Sequence, residues 1–324
     1  LGFQKAGFDI SWANEFDKNA CITYRENFKN HLLIEDDIWN IISDNYKYNN
    51  TKLDDIDVLV GGFPCQAFSV AGYRKGFEDP RGNLFFAIKD FITHFKPRAV
   101  LLENVKNLQG HDGGKTFGRI FSELDELGYS VIFKVLNTAE YTAIPQNRER
   151  IFIVCFKDES DWNNKEMFRT KKCLASESFD FPQKSKTRKL VTDIIIDKDM
   201  DEAFYYTKDK NYMFDKLADS IISNDTIYQW RRVYVRDNKS KLCPTLTANM
   251  GTGGHNVPLI LDSKKRIRKL TPKECFLFQG YDKSFKLPKL ANSHLYKQAG
   301  NSVSVPLIKK IATNIKSALD KKYN

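Results

Sequence analysis

Short apolar runs alternate with stretches of helical period through the first half of the chain. Residues 8–14 read as a strand ending at Glu15, and residues 17–28 as a helix. Residues 58–61 form a second apolar run. Residues 83–95 place Leu84, Phe85, Ile88, Ile92 and Phe95 at helical spacing and stop before Lys96-Pro97. Residues 99–102 predict a buried strand, 116–127 a helix closed by Gly128, and 131–136 and 151–156 two further strands. Strands and helices in this alternation predict the α/β class: a mostly parallel sheet with helices on both faces. Ligands of such sheets lie at the carboxyl ends of the strands. Glu15, Cys65 and Glu103 are expected just past strand ends.

From about residue 157 the pattern changes. Residues 157–230 are polar, rich in Lys, Asp and Asn, and weakly periodic. Short β-like pieces follow at 232–235, 245–247 and 257–260, around Gly251-Thr252-Gly253-Gly254. A second, smaller unit of irregular structure and small strands is expected. Residues 303–319 read as a helix that packs back on the first unit. The expected division is 1–171, 172–264 and 265–324.

Charge sharpens this division. The 324 residues carry a net +10, with 41% hydrophobic and 28% charged residues. Residues 1–156 hold 18 Lys/Arg against 21 Asp/Glu, whereas residues 157–324 hold 33 against 20. A basic second half fits a polyanion partner, although a lysine-rich solvated surface has the same composition. No apolar run reaches the about 18 residues of a membrane helix. The six cysteines form no Cys-x-x-Cys pair, so neither zinc nor a disulfide framework is expected, and a reducing cytoplasm fits.

Candidate chemistry begins at Gly61-Gly62-Phe63-Pro64-Cys65-Gln66, directly after an apolar strand. A cysteine on such a turn has the access a thiolate nucleophile needs. Alone it would weigh little, because free cysteine is usually a small buried hydrophobe. Three further segments accompany it in order: Glu103-Asn104-Val105, Gln146-Asn147-Arg148-Glu149-Arg150 and Gly300-Asn301-Ser302-Val303. In this order the four resemble the motif set of the DNA (cytosine-5) methyltransferases, and a bacterial member of a restriction–modification system is expected. The resemblance covers nearly the whole chain.

The resemblance implies a catalytic set. Cys65 adds to C6 of a flipped-out cytosine, Glu103 hydrogen-bonds N3, Arg148 helps orient Cys65 and Glu103 around the base, and Arg150 plays a related supporting role; at alternate positions on one face of the chain, the two guanidinium groups can also hold cytosine O2 and a flanking phosphate. It implies S-adenosyl-L-methionine as methyl donor, with S-adenosyl-L-homocysteine as product. The matched positions are Glu15 for the ribose, Phe16 against adenine, Asp37 and Ile38 at the adenine edge, and Pro64, Leu84 and Asn301 near the methionine end. Phe16 stands where tryptophan often occurs. A loop over residues 66–83 would close over the DNA, with Gln66, Ser69 and Arg81 in contact. Ala71 stands where some members carry a DNA-contacting serine.

The same resemblance makes 172–264 the target-reading region, with Arg231, Arg232, Tyr234, Arg236, Thr245, Gly253 and Gly254 as DNA contacts. Thr245-Leu246 matches a signature of that region. Arg268-Lys269-Leu270-Thr271-Pro272-Lys273-Glu274-Cys275 matches the ninth motif, with Cys275 buried and inert. The chain starts Leu1-Gly2-Phe3, which matches the helix after the family's first motif; a Gly-rich strand and turn are expected upstream. Duplex DNA is the implied partner, the protein being a monomer without a metal, with a companion endonuclease encoded alongside but not bound. Two alternatives share these residues: a tRNA cytosine-5 methyltransferase and a catalytically impaired DNA-binding homologue. The long separate reading region favours duplex DNA, and intact Cys65, Glu103 and Arg148 favour catalysis.

Overall fold

Alternation along two central strands sets the architecture. The computed structural model describes residues 1–64, 84–157, 177–231, 233–251 and 255–321. In chain order the first part holds α1 (Gly2–Lys5), β1 (Trp12–Asn14), α2 (Lys18–Asn27), β2 (Leu32–Ile34), α3 (Ile38–Ser43) and the hairpin β3 (Lys47–Tyr48) and β4 (Thr51–Lys52). It continues through β5 (Val58–Gly62), α4 (Leu84–Phe95), β6 (Ala99–Val105), α5 (Lys115–Glu126), β7 (Tyr129–Asn137), α6 (Thr138–Tyr141) and β8 (Glu149–Lys157). The larger sheet has the order β5-β6-β8-β7, and β1 and β2 pair parallel beside it.

Side chains on successive strand residues point to opposite faces. Val100 and Leu102 of β6, with Ile151, Ile153 and Cys155 of β8, meet α4 and α5 through Phe85, Phe91, Ile92, Ile120 and Leu124. Ala99 and Leu101, with Phe152, Val154 and Phe156, meet Leu307, Ile308, Ile311 and Ile315 of the later helix Val305–Leu319. Strands buried on both faces explain why these runs read as continuously apolar.

The α/β architecture with helices on both faces and a mostly parallel larger sheet is as expected, with one strand, β8, reversed. β5 and β6 run parallel, whereas β8 is antiparallel to both β6 and β7. The cause is the short connection 138–148, below the dozen or more residues that a parallel crossover needs. The first strand also starts late, at Trp12 rather than residue 8. Gly7, at φ +82°, turns the chain, and Phe8 and Ile10 pack on the second core instead.

The remaining elements are α7 (Phe214–Ser220), β9 (Tyr228–Arg231), β10 (Tyr234–Arg236), β11 (His255–Leu261), β12 (Ile267–Lys269), α8 (Pro272–Phe278), α9 (Asn292–Asn301) and α10 (Val305–Leu319). An antiparallel sheet of order β10-β9-β11-β12 carries its own small core of Leu217, Tyr228, Val257, Leu259 and Ile267. Its fourth strand comes from beyond residue 264, and Phe179 still packs on the catalytic sheet. Two expected strands differ. Residues 231–236 are not one strand but the two sides of a hairpin, with Tyr234 paired to Arg231. Residues 245–247 form no strand; just before them the backbone of Cys243 pairs with that of Pro145 and Asn147.

α8 starts with a reciprocal cap. Thr271 and Glu274 bond each other's backbone amides, and Pro272 occupies the first turn. Glu274 also takes both guanidinium arms of Arg268 at 2.8 Å, with both side chains essentially excluded from solvent. This pair and the amide of Ile196, which donates to Glu274 at 2.9 Å, join the antiparallel sheet to the helices that follow it.

Candidate active site

Glu103 lies within β6, not past its end, because pairing with β8 continues to Val105. In the parallel register it faces Gly62, three residues before Cys65. Arg150 Nε is 3.0 Å from Glu103 Oε1, and both side chains are mostly buried. The approach is off the line of a hydrogen bond, so this buried oxygen lacks an aligned donor among the described residues. Burial pushes the Glu103 carboxyl above its ordinary range, and the charges of Arg150 and Arg148 only partly offset it. A carboxyl group held this way can carry a proton closer to neutral pH and donate it.

Asn104, on the opposite face of β6, donates from Nδ2 to the carbonyl of Phe63 at 2.8 Å while Oδ1 accepts from Val105 N at 2.7 Å. It ties the segment leading into Pro64-Cys65 to the strand that bears Glu103. The sequence reading passed over this role; its signal was the fixed Glu-Asn-Val order.

Arg148 is a buried clamp. Nη1 donates to Leu246 O at 2.9 Å, and Nη2 to Gly300 O at 3.1 Å and Ser302 O at 2.6 Å. Burial first, then the neighbouring Arg150 charge, lowers its pKa, yet a guanidinium stays charged at neutral pH. Its terminal nitrogens, expected to hold cytosine O2 or a phosphate, serve three carbonyls instead. Arg150 is the arginine beside Glu103.

The surrounding bonds extend this clamp. Cys243 N donates to Pro145 O at 2.7 Å, Asn147 N to Cys243 O at 2.8 Å, and Thr245 Oγ1 to Asn147 O at 2.6 Å. Thr245, expected at DNA, spends its hydroxyl proton here. Gln146, fully buried, donates to Phe278 O at 2.6 Å. Gly300 permits the approach of α9: a Cβ there would sit 2.2 Å from Thr247 C and 2.3 Å from Ala248 N.

The expected cofactor positions gather at the carboxyl ends of β1, β2 and β5. Glu15 N donates to Ile34 O at 3.0 Å, and Glu15 Oε1 accepts from Asp17 N at 2.9 Å. Phe16 follows with 72% of its surface exposed. Such an apolar face, held at a strand end beside carboxylates, fits an adenosine better than it fits a solvated loop. Asp37 caps α3 through Oδ1 to Trp39 N, and Ile38 and Leu84 lean on the first core. Pro64 follows β5, and Asn301 ends α9 exposed.

Arg231, Tyr234 and Arg236 lie on the β9–β10 hairpin. Cys65, Gln66, Ser69, Arg81, Arg232, Gly253 and Gly254 lie outside the described residues. Cys21, Cys155, Cys243 and Cys275 are buried, and burial raises all four thiols, Cys21 to about 11. Among the described residues no helix is long and apolar enough to cross a membrane.

Solved structures share this fold. The Dnmt2 methyltransferase of S. pombe superposes with a TM-score of 0.68 at 16% identity, over 99% of this chain and 95% of that one. A putative DNA modification methyltransferase encoded within an E. coli prophage gives 0.66 at 20%, over 99% and 95%. At such identity the likeness speaks for the fold alone, and that fold is the α/β fold of the C5-methyltransferases. Sequence carries the comparison further. The family model for C-5 cytosine-specific DNA methylase matches residues 1–317. Type II methyltransferase M.Bsp6I of Bacillus sp. (strain RFL6) is 52% identical over 321 residues, 97% of this chain and 94% of that protein. Type II methyltransferase M.HhaI of Haemophilus parahaemolyticus is 34% identical over 332 residues, 99% and 91%. The chain therefore belongs to the C-5 cytosine-specific DNA methylase family, as its motifs implied, and is a DNA cytosine-5 methyltransferase.

Proposed function

We propose that Cys65 is the nucleophile and Glu103 the proton donor in methylation of a flipped-out cytosine, at one specific duplex sequence, with S-adenosyl-L-methionine as donor. The observation that carries this is Glu103: a buried carboxyl of raised pKa, beside Arg150, on the strand whose Asn104 fixes the approach to Pro64-Cys65.

Carbon 5 of cytosine is a poor nucleophile until a thiolate adds at C6. The Cys65 sulfur forms the new bond, and the C5–C6 π pair moves through the ring toward N3. Glu103 donates its proton there, leaving C5 electron-rich. Arg150 then faces the carboxylate that remains, and Arg148 keeps the Leu246 and Gly300 backbones around the base. When bound, S-adenosyl-L-methionine supplies the electrophilic methyl group; Phe16 would stack on its adenine, Glu15 would take its ribose hydroxyls, and Asp37 and Ile38 the adenine edge. Pro64, Leu84 and Asn301 would line the methionine end. Loss of the C5 proton and departure of the Cys65 thiolate, with N3 returning its proton to the Glu103 carboxylate, restore the ring. The base leaves the helical stack for this, since C5 and C6 are inaccessible within it.

Burial of Cys21, Cys155, Cys243 and Cys275 leaves Cys65 and Cys173 as candidates, and of these two Cys65 stands in the Pro-Cys-Gln motif after a strand. In this reading the protein acts as a cytoplasmic monomer, with any companion endonuclease sharing only the target sequence. Duplex DNA carrying 5-fluorocytosine tests the assignment, because fluorine at C5 blocks the final elimination. A covalent adduct mapping to Cys65, absent in Cys65→Ser, is expected; an adduct on another residue sinks it. Greater methyl incorporation into tRNA than into duplex DNA would overturn the substrate.

A further inference from the structure

A helix from the far end of the chain grips the turn that carries Glu15 and Phe16. Lys297 of α9 places Nζ 2.6 Å from Asp17 Oδ2, across 280 positions of sequence. Three positions earlier on the same helix face, His294 Nδ1 lies 3.3 Å from Asn19 Nδ2. Four positions later, about 6 Å along the axis, the same face ends at Asn301. Two side chains of α9 thus hold the first turn of α2, and the residue expected at the methionine end of the methyl donor closes the same helix.

Asp17 is the hub of the turn. Its Oδ1 accepts from Asn19 N at 3.0 Å and from Ala20 N at 3.3 Å, capping α2. Its own amide donates to Glu15 Oε1 at 2.9 Å and so fixes the carboxylate expected at the ribose. Oδ2 goes to Lys297, whose hydrogen bond holds the Asp17 carboxyl below the ordinary carboxylate range. With Lys297 51% exposed and Asp17 21%, the pair is half-open, and such pairs add little to folding stability. Its effect lies in placement. α9 also carries Gly300, whose carbonyl accepts from Arg148 Nη2 at 3.1 Å. One ten-residue helix therefore joins the Glu15–Asp17 turn to the buried clamp.

We infer that Lys297 is a positioning residue for the methyl donor: through Asp17 it sets the Glu15–Phe16 turn against Asn301, and with it the span between the adenosine and methionine halves of S-adenosyl-L-methionine. This rests on the reading above in which Glu15 and Phe16 hold the adenosine. Without Lys297 the turn is tied only to its own helix, and binding must supply the ordering that the ion pair provides in advance. The pair touches neither the cytosine nor the transferred methyl group. Its loss therefore weakens cofactor binding and leaves the chemistry of the loaded enzyme intact.

Calorimetry with S-adenosyl-L-homocysteine on the intact protein reads the effect. Lys297→Ala should raise Kd about threefold to fivefold, the upper scale for a half-exposed ion pair. Asp17→Asn, which keeps the cap and removes the charge, should lose the same factor. The double variant should lose no more than either single one, because both remove one interaction. Lys297→Arg should restore wild-type affinity. The ratio between wild type and Lys297→Ala should approach one in about 1 M salt, where charges are screened within ~3 Å. Steady-state kinetics should show KM for the donor raised, with kcat and KM for DNA unchanged. Equal affinity of wild type and Lys297→Ala overturns the inference, as do additive losses in the double variant. A ligand-free melting temperature that falls in step with affinity across the variants also overturns it, by making the pair a folding contact. Should the reading of the adenosine site itself fail, Phe16→Ala would leave affinity unchanged as well; tight binding that needs Phe16 but not Lys297 overturns this inference alone.

Discussion

Arg150 passes over the residue opposite it in the sheet. Its cross-strand partner in β6 is Val105, yet its Nε lies 3.0 Å from Oε1 of Glu103, two positions along the same face. The diagonal reach places a fixed positive charge beside the carboxyl without giving it an aligned hydrogen bond. Burial therefore outweighs the two arginines, and the Glu103 pKa stays raised.

Glu103→Gln keeps the shape and removes the proton. Single-turnover methyl transfer should slow by about 10²–10⁴, the usual scale for a general acid. In the wild-type protein the rate should fall as pH rises through the raised pKa, and this limb should vanish in the variant. The stability linkage has the same sign. A carboxyl with a raised folded pKa contributes stability that is fully present below its unfolded value and is lost as pH rises through the folded one. The melting temperature of the wild type relative to Glu103→Gln should thus decline over that window; a flat difference would remove Glu103 from this role.

Phe16→Ala should weaken S-adenosyl-L-methionine binding by about tenfold to hundredfold, as for loss of one aromatic stacking partner worth ~1–3 kcal/mol. Phe16→Trp should keep it. Calorimetry on both variants measures this. Because the ring is 72% exposed, neither change should move the melting temperature of the ligand-free protein appreciably.

Gly300→Ala should open the clamp. The added methyl would meet backbone, Thr247 C and Ala248 N, and backbone cannot rotate aside as a side chain can. Gly300 O and Leu246 O would then separate from Arg148. Overpacking of this kind costs about 1–3 kcal/mol or more, readable in urea unfolding. Asn301→Ala, one position on and exposed, should leave stability nearly unchanged.

Glu274→Ala should be the most damaging of these changes. It strands Arg268 in a dry site and removes the acceptor for Ile196 N and Thr271 N. Breaking a buried pair from one side costs about 3–5 kcal/mol. The double change Arg268→Met with Glu274→Leu should recover part of that loss in the same unfolding measurement.

Much of the frame was legible because period-two and helical patterns are local. The helix α4 and the strands of the larger sheet fall within a few residues of their expected positions. What misled is non-local. Whether β8 runs parallel or antiparallel to β7 depends on the length of the connection between them, not on either strand's own residues. Residues 231–236 look like one alternating strand, and only pairing partners reveal the hairpin between Arg231 and Tyr234. Arg148 and Thr245 were named for their motifs, but their hydrogen bonds depend on Leu246, Gly300 and Asn147, up to about 150 positions apart, which no window of sequence displays. Asn104 was overlooked because its carbonyl partner, Phe63, lies on another strand's end.

The helix α10 has a consequence for the birth of the protein. It covers Leu101, Val154 and Phe156, which leave the ribosome roughly 150–200 residues earlier, or about 8–40 seconds at ordinary synthesis rates of ~5–20 residues per second. For that interval one side of the central sheet has no lid of its own. A nascent chain therefore carries an oily surface that chaperones can grip, and it gains its finished interior only once Val305–Leu319 has emerged.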